Sequence, residues 1–246
     1  GVLWAGSDDG LVHISKDDGK TWTDITPKLL PERALVSCIE LSPFESGTAY
    51  LAATRYKLDD YEPYVFVTNN YGSTWRRITT GIRDDDFTRV IRADPVQKGL
   101  LYAGTETGIY VSLDDGKLWQ RLQQNLPVTP IHDILVHGTD LIAGTHGRSI
   151  WILDDITPIR AAMDPRSKMT RLYPQSQAVR MLPGVDWTGN IAGWTNYLGS
   201  VGSGFYTDTS INGETTRTYL DAGENPPRGA LVIYHLEKEP SEPLTL

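Results

Sequence analysis

The chain holds one cysteine, Cys38, so no intrachain disulfide can form. Cys38 lies in the apolar stretch Leu35–Ile39 and reads as a small buried hydrophobe rather than a nucleophile. No apolar run approaches the roughly 20 residues a membrane helix requires, which excludes helical membrane insertion. No charged-then-apolar signal segment opens the chain. Gly1–Gly6 instead reads as the middle of a strand, so the expectation is a native protein that begins earlier. Basic residues are in short supply: 23 Lys and Arg against 31 Asp and Glu leave a formal net charge of -8. That balance argues against nucleic acid or an anionic membrane as the principal partner, because both need a basic face. Cations or neutral ligands fit better. Also missing are His-Glu-x-x-His, paired cysteines, Gly-x-Ser-x-Gly and a nucleotide loop. Zinc proteases, zinc fingers, nucleophile-elbow esterases and kinases are therefore disfavoured, and no organic cofactor is expected.

Phenylalanine is scarce too, with 4 against 12 Tyr and 7 Trp. That bias suits exposed strands, blade interfaces and sugar-facing surfaces. The tryptophans lead to a repeat. Ser15–Trp22, Thr68–Trp75 and Ser112–Trp119 share the pattern Ser/Thr-x-Asp/Asn-x-Gly-x-Thr/Leu-Trp, and their tryptophans are 53 and 44 residues apart. The shorter interval matches the roughly 40 to 45 residues of a four-stranded propeller blade, and the longer one carries an insertion. Leu3–Ser7, Leu101–Thr105 and Leu141–Thr145 are copies of one further strand. The unit is thus four short strands, typified by A (87–93), B (100–104), C (108–112) and D (118–122), each bounded by Gly, Pro, Asn or Asp. Blade one lacks strand A, and the fourth unit decays after Ile150–Asp155.

The box is expected to be a C-to-D hairpin. Gly19, Gly72 and Gly116 supply the positive φ, and Asp17, Asn70 and Asp114 accept backbone N–H groups in the turn. The hydroxyl residue fastens the other arm, and Trp22, Trp75 and Trp119 pack between blades. Asp17, Asp18, Asp114 and Asp115 also look like catalytic pairs or a calcium loop, but the EF-hand spacing with its terminal Glu is absent. The box is therefore read as a fold element.

Beyond Pro158 the texture changes. Ala161–Lys168 reads as a linker, 183–213 as irregular, and Gly199–Gly204 as a mobile loop with no Lys-Ser/Thr to make it a phosphate cradle. A strand is expected at 229–236 after the turn Asn225-Pro226-Pro227. One or two strands cannot make a sandwich alone, so truncation is expected. The expected class is all-β: a partial propeller of about three and a half blades over 1–160, then a truncated β-sandwich-like segment over 161–246.

The three boxes resemble the Asp-box, or bacterial neuraminidase (BNR), repeat of sialidases, endoglucanase-like glycoside hydrolases and the VPS10 domain of sortilin receptors. A closer resemblance is to bacterial glycosyl-hydrolase-like or VPS10-like proteins. It is carried by Pro63-Tyr64, Asp94-Pro95, Gly99–Gly108, Asn125–Pro127, Thr145–Asp155 and Gly223–Ala230. The resemblance implies that Thr145-His146-Gly147-Arg148 closes a propeller and that Gly223–Pro227 opens a fibronectin-like or immunoglobulin-like sandwich. It also implies an extracytoplasmic location, periplasmic or secreted. No sialidase-type arginine triad is present, so no family catalytic residue carries over, and fold does not fix chemistry.

Chemistry is expected on the face opposite the boxes, where B-to-C and D-to-A loops meet near the axis. Asp8, Asp9, the insertion Lys57–Glu62, Glu106, His146 and Arg148 fall in B-to-C loops; Asp84–Asp86 and Pro127–His132 fall in D-to-A loops. The rim is acidic. One reading is glycoside hydrolysis by two of Asp59, Asp60, Asp84, Asp86 and Glu106, set roughly 5 to 10 Å apart across the scissile bond. A second is a calcium site built from Asp84, Asp85 and Asp86, polarising an ester or lactone while His132 or His146 moves protons. A third is a non-catalytic VPS10-like module that binds a peptide or protein. Asp8, Asp9, Glu62 and Arg148 are candidate contacts to a carbohydrate or small-molecule ligand. Against all three stands a plain solvated acidic face, with His146 and Arg148 only fastening the last blade. An open arc of blades also leaves strand edges unpaired, so self-association or a missing remainder of the chain is expected.

Overall fold

A computed structural model describes residues 1–164, 169–174, 206–211, 214–219 and 230–240. The chain divides into two compact units, Gly1–Met163 and Asp164–Leu246.

The first unit is four antiparallel sheets in sequence order, so it is a partial β-propeller. The first sheet is β1 (Leu3–Gly6), β2 (Val12–Ser15) and β3 (Thr23–Asp24). The second is β4 (Leu35–Leu41), β5 (Ala49–Arg55), β6 (Asp60–Thr68) and β7 (Arg76–Arg77). The third is β8 (Thr88–Ala93), β9 (Leu101–Thr105), β10 (Ile109–Ser112) and β11 (Gln120–Arg121). The fourth is β12 (Ile131–His137), β13 (Asp140–Thr145) and β14 (Ile150–Leu153). Among the described residues the first sheet has no strand before β1 and the fourth none after β14, and the strands of blade three fall within two residues of their expected bounds. The 57–62 insertion is a longer B-to-C hairpin. It runs through a 3-10 turn at Tyr56–Leu58 and re-enters pairing at Arg55 and Asp60.

The core lies between blades. β5 and β9 are buried on both faces, which is why they read as continuous apolar runs rather than alternating ones. Tyr50, Val67, Ile78, Leu101 and Trp119 fill the space between the second and third blades. Val90, Tyr102, Ile134, Leu141 and Ile156 fill the next.

The boxes are local hydrogen-bonded knots. In the first, Ser15 Oγ accepts from Gly19 N at 2.8 Å and donates to Asp17 Oδ1 at 2.8 Å. Asp17 in turn accepts from Thr21 N at 2.9 Å and Thr21 Oγ1 at 2.7 Å. Thr21's backbone and hydroxyl bonds, with Ser15's, pull the Asp17 pKa down to about 2. Not only the glycine but the residue before it, Asp18, Tyr71 or Asp115, takes positive φ. Trp75 and Trp119 each reach back into the preceding blade, donating Nε1–H to Ile25 O at 2.6 Å and Ile78 O at 2.7 Å. Trp22 of the first box is 45% exposed.

Three expectations need correction. Part of the region read as linker is a short helix, α1 (Thr157–Ala162), with Pro158 in its first turn. Ile156, Ile159 and Met163 pack on the third and fourth blades, and Arg160 clamps the buried Asp94 at 2.9 Å. In the second unit, Tyr206–Ile211 lies in the stretch expected to be irregular, yet it forms β16 and pairs residue for residue with β17 (Glu214–Tyr219). The strand expected across 229–236 shrinks to β18 (Tyr234–His235), because the described ladder it meets, β15 (Arg171–Leu172), is only two residues long. Gly199–Gly204 and Asn225–Pro227 lie outside the described residues.

Candidate functional site

The first strand of the second, third and fourth sheets carries the same irregularity. Pairing slips by one residue between Val36 and Cys38, between Thr88 and Val90, and between Ile131 and Asp133. The skipped residues are Ser37, Arg89 and His132, one per blade at matching heights. A bulge of this kind re-aims a side chain, and here it takes Arg89 and His132 out of the ladder at the end of the strand where the B-to-C and D-to-A loops meet.

Arg89 meets Glu106 from the B-to-C loop of its own blade, with Nη2 at 2.7 Å and Nε at 2.8 Å from Oε2. The guanidinium also lies over the rings of Phe87 at 4.9 Å and Tyr56 at 5.2 Å. Tyr56 stacks on Phe87 at 5.0 Å, and Tyr61 tilts against Phe87 at 6.1 Å. The insertion hairpin of blade two thus builds an aromatic wall beside the ion pair of blade three, and Tyr61 keeps 48% of its surface in solvent.

His132 lies 3.2 Å, nitrogen to nitrogen, from His146 of the next B-to-C loop. Partial burial lowers the His132 pKa, the positive charge of Arg89 and the neighbouring His146 lower it further, and Glu106 acts the other way. The shared contact needs one ring nitrogen to donate and the other to accept, so it survives only while the two rings are not both protonated. The His146 loop is fastened through its backbone: His146 N donates to Pro130 O at 2.9 Å, and Trp151 Nε1 donates to Arg148 O at 2.8 Å. The His146 imidazole adds its contact to His132 of the same blade.

Of the expected site residues, the structure therefore brings together Glu106, His132 and His146. The other carboxylates are dispersed. Asp86 is wholly buried, accepting from Thr107 N at 3.1 Å, Thr107 Oγ1 at 2.6 Å and Tyr110 OH at 3.1 Å. It ties the D-to-A loop to the B-to-C loop. Asp85 points to Arg83 at 2.6 Å and Asp84 is exposed, so the three consecutive aspartates do not converge. Asp60 accepts from Arg55 at 2.9 Å and Tyr64 OH at 2.8 Å. Burial works against its charge, but the bonds from Tyr64, the Glu62 amide and Arg55 outweigh it and hold the carboxyl below its usual range. Glu62 pairs with Arg77 at 3.0 Å, Asp59 is exposed with φ of 58°, and Asp8 is exposed. Asp9 bonds the Ser7 hydroxyl, which lowers its pKa. Arg148 is exposed. Among the described residues, no group of three or more His, Cys, Asp and Glu side chains gathers as a metal cage.

Sequence reasoning missed Arg89, Tyr56 and Phe87 as site residues. Arg89 looked like an ordinary strand position, because a bulge leaves no local sequence mark.

Among known families, the model described as Sortilin-Vps10 (sortilin, neurotensin receptor 3) matches residues 10–144. No curated protein matches. Several solved structures are similar. YCF48 from Cyanidioschyzon merolae is 18% identical, with a TM-score of 0.45 over 62% of this chain and 49% of that one. A GH74 xyloglucanase from Xanthomonas campestris is 18% identical, with a TM-score of 0.48 over 63% and 26%. A GH74 enzyme from Niastella koreensis is 14% identical, with a TM-score of 0.48 over 72% and 30%. The chain spans less than half the length of each. No helix among the described residues is long and apolar enough to cross a membrane.

Proposed function

The chain belongs to the Sortilin-Vps10 family, and from that premise we propose that its propeller unit is a ligand-binding segment. The ligand is a neutral carbohydrate or comparably polar small molecule, held on the rim. The single observation behind this reading is the bulge-presented Arg89 paired with Glu106 under the Tyr56–Phe87–Tyr61 wall, beside the His132–His146 pair. A sugar ring offers an apolar C–H face and hydroxyls that both donate and accept. The exposed Tyr61 ring suits the first; the guanidinium, carboxylate and imidazoles suit the second.

Binding is favoured over hydrolysis by the state of the carboxylates. A glycosidase needs two of them facing one bond, one poised as acid and the other as base or nucleophile. Here Glu106, Glu62, Asp60 and Asp85 are each engaged by a guanidinium, and Asp86 is enclosed. An extracytoplasmic location belongs to the same proposal and rests on the family.

The test is calorimetric titration with neutral gluco-, xylo-, manno- and galacto-oligosaccharides, alongside a reducing-sugar assay. Saturable binding that weakens about tenfold or more in Arg89→Gln and in Tyr61→Ala, a loss of about 1.4 kcal/mol, is expected. No sugar release should accompany it. Turnover that disappears in Glu106→Gln would replace the binding reading with the hydrolase reading.

A further inference from the structure

The fourth blade brings two histidines together from different elements. His132 is the residue that β12 skips in its pairing, and His146 begins the loop after β13. Both residues are exposed, and His132 Nε2 lies 3.2 Å from His146 Nδ1.

Neither backbone depends on that contact for its place. Asp133 Oδ1 accepts from Arg92 Nη2 at 2.6 Å and from Ile134 N at 2.8 Å, and Arg92 Nε donates to Ile134 O at 3.0 Å, which pins the bulge to the third blade. On the loop, Arg148 N donates to Thr145 Oγ1 at 3.1 Å, and Thr145 Oγ1 donates to Ser149 O at 2.6 Å. The two imidazoles thus meet on supports that are already fixed.

Their geometry is that of two donors aimed at one point. Metal–imidazole bonds of about 2.0–2.1 Å to nitrogens 3.2 Å apart subtend an angle of about 100° at the ion, close to tetrahedral. Ring centres set about 1.2 Å behind each nitrogen would then stand about 5 Å apart. The observed separation is 4.9 Å. A straight N–H···N bond of the same length would hold the ring centres about 5.5 Å apart. The charges that act on His132 from the third blade are those of Arg89 and Glu106, which are paired with each other at 2.7 Å. A cation therefore meets no uncompensated positive charge there.

We propose that His132 Nε2 and His146 Nδ1 form an open two-histidine site for a divalent transition-metal ion: Zn2+, Ni2+ or Cu2+. Imidazole nitrogen suits these ions, whereas Ca2+ and Mg2+ take oxygen ligands. Each ring keeps its N–H on the other nitrogen, Nδ1 of His132 and Nε2 of His146. The remaining coordination positions fall to water or to hydroxyls of a bound ligand. Two protein donors make an open site rather than a closed cage. The site is separate from the sugar reading of the rim, and either can fail alone.

The test is calorimetric titration of the full chain, stripped of metal, with Zn2+ at neutral pH. One equivalent should bind saturably, and Ca2+ should not bind at the same site. His132→Gln and His146→Gln should each weaken Zn2+ binding about tenfold or more, a loss of about 1.4 kcal/mol, whereas His137→Gln should leave it unchanged. Electron paramagnetic resonance of the Cu2+ form should show coupling to two imidazole nitrogens in the parent and to one in either variant. The parent spectrum alone decides the matter if a glutamine variant misfolds. Absence of saturable Zn2+ binding, equal affinity for Ca2+, indifference to either glutamine change, or a parent copper spectrum without two imidazole nitrogens would each overturn the proposal.

Discussion

Replacing Asp86 by alanine removes an acceptor from three donors at once: Thr107 N, Thr107 Oγ1 and Tyr110 OH. Asp86 is 0% exposed and Tyr110 is 2% exposed, so water cannot readily take the place of the carboxylate at the phenol. Thr107 is half-buried and recovers part of its hydration. An unmade buried hydrogen bond costs about 1 to 3 kcal/mol. One full and two partial losses therefore sum to about 3 to 5 kcal/mol, a large share of the roughly 5 to 15 kcal/mol of a typical domain. The assay is urea unfolding of the intact chain followed by tryptophan fluorescence. A Tyr110→Phe cycle should show a coupling of about 1 kcal/mol or more, as directly bonded side chains do. An alanine variant that keeps its stability to within about 1 kcal/mol of the parent, while losing sugar binding or turnover, would refute the reasoning. Asp86 would then be a working group of the site rather than a pin between its loops.

Gly81 has φ of 98°, and a Cβ there would stand 2.2 Å from the Trp119 carbonyl oxygen. Gly81→Ala should cost about 3 kcal/mol or more, through backbone strain and displacement of the Trp119 backbone just before β11, and should shift the emission of the buried Trp119 in parallel. Because the folded His132 pKa lies below its usual 6.5, its stabilising share is complete at pH values above 6.5. It is lost as the pH falls through the lowered folded value. The unfolding free-energy advantage of the parent over His132→Gln, read by urea unfolding, should shrink between pH 7.5 and pH 5, by no more than about 1 kcal/mol for so solvent-facing a group. An advantage constant across that range would dissociate His132 from the titration.

What was legible in the sequence was everything closed by short-range bonds. Each box is an eight-residue knot whose hydroxyl, carboxamide or carboxylate, glycine and tryptophan have set tasks, so three copies announce a propeller before any strand is paired. The strand bounds of blade three followed from the same local punctuation, and the buried central strands from unbroken apolar runs. Tertiary structure decided what the loops do. Arg89 and His132 reach the rim because their strands skip a residue against partners that lie eleven to seventeen positions further along. A bulge is a property of the pairing rather than of either strand alone. Asp86 looks like its neighbours Asp84 and Asp85, yet it alone is enclosed, because Thr107 and Tyr110, more than twenty residues away, close over it. Local hydrogen bonds are written in adjacent residues; burial, charge pairing and hollow space depend on which distant residues the fold makes neighbours.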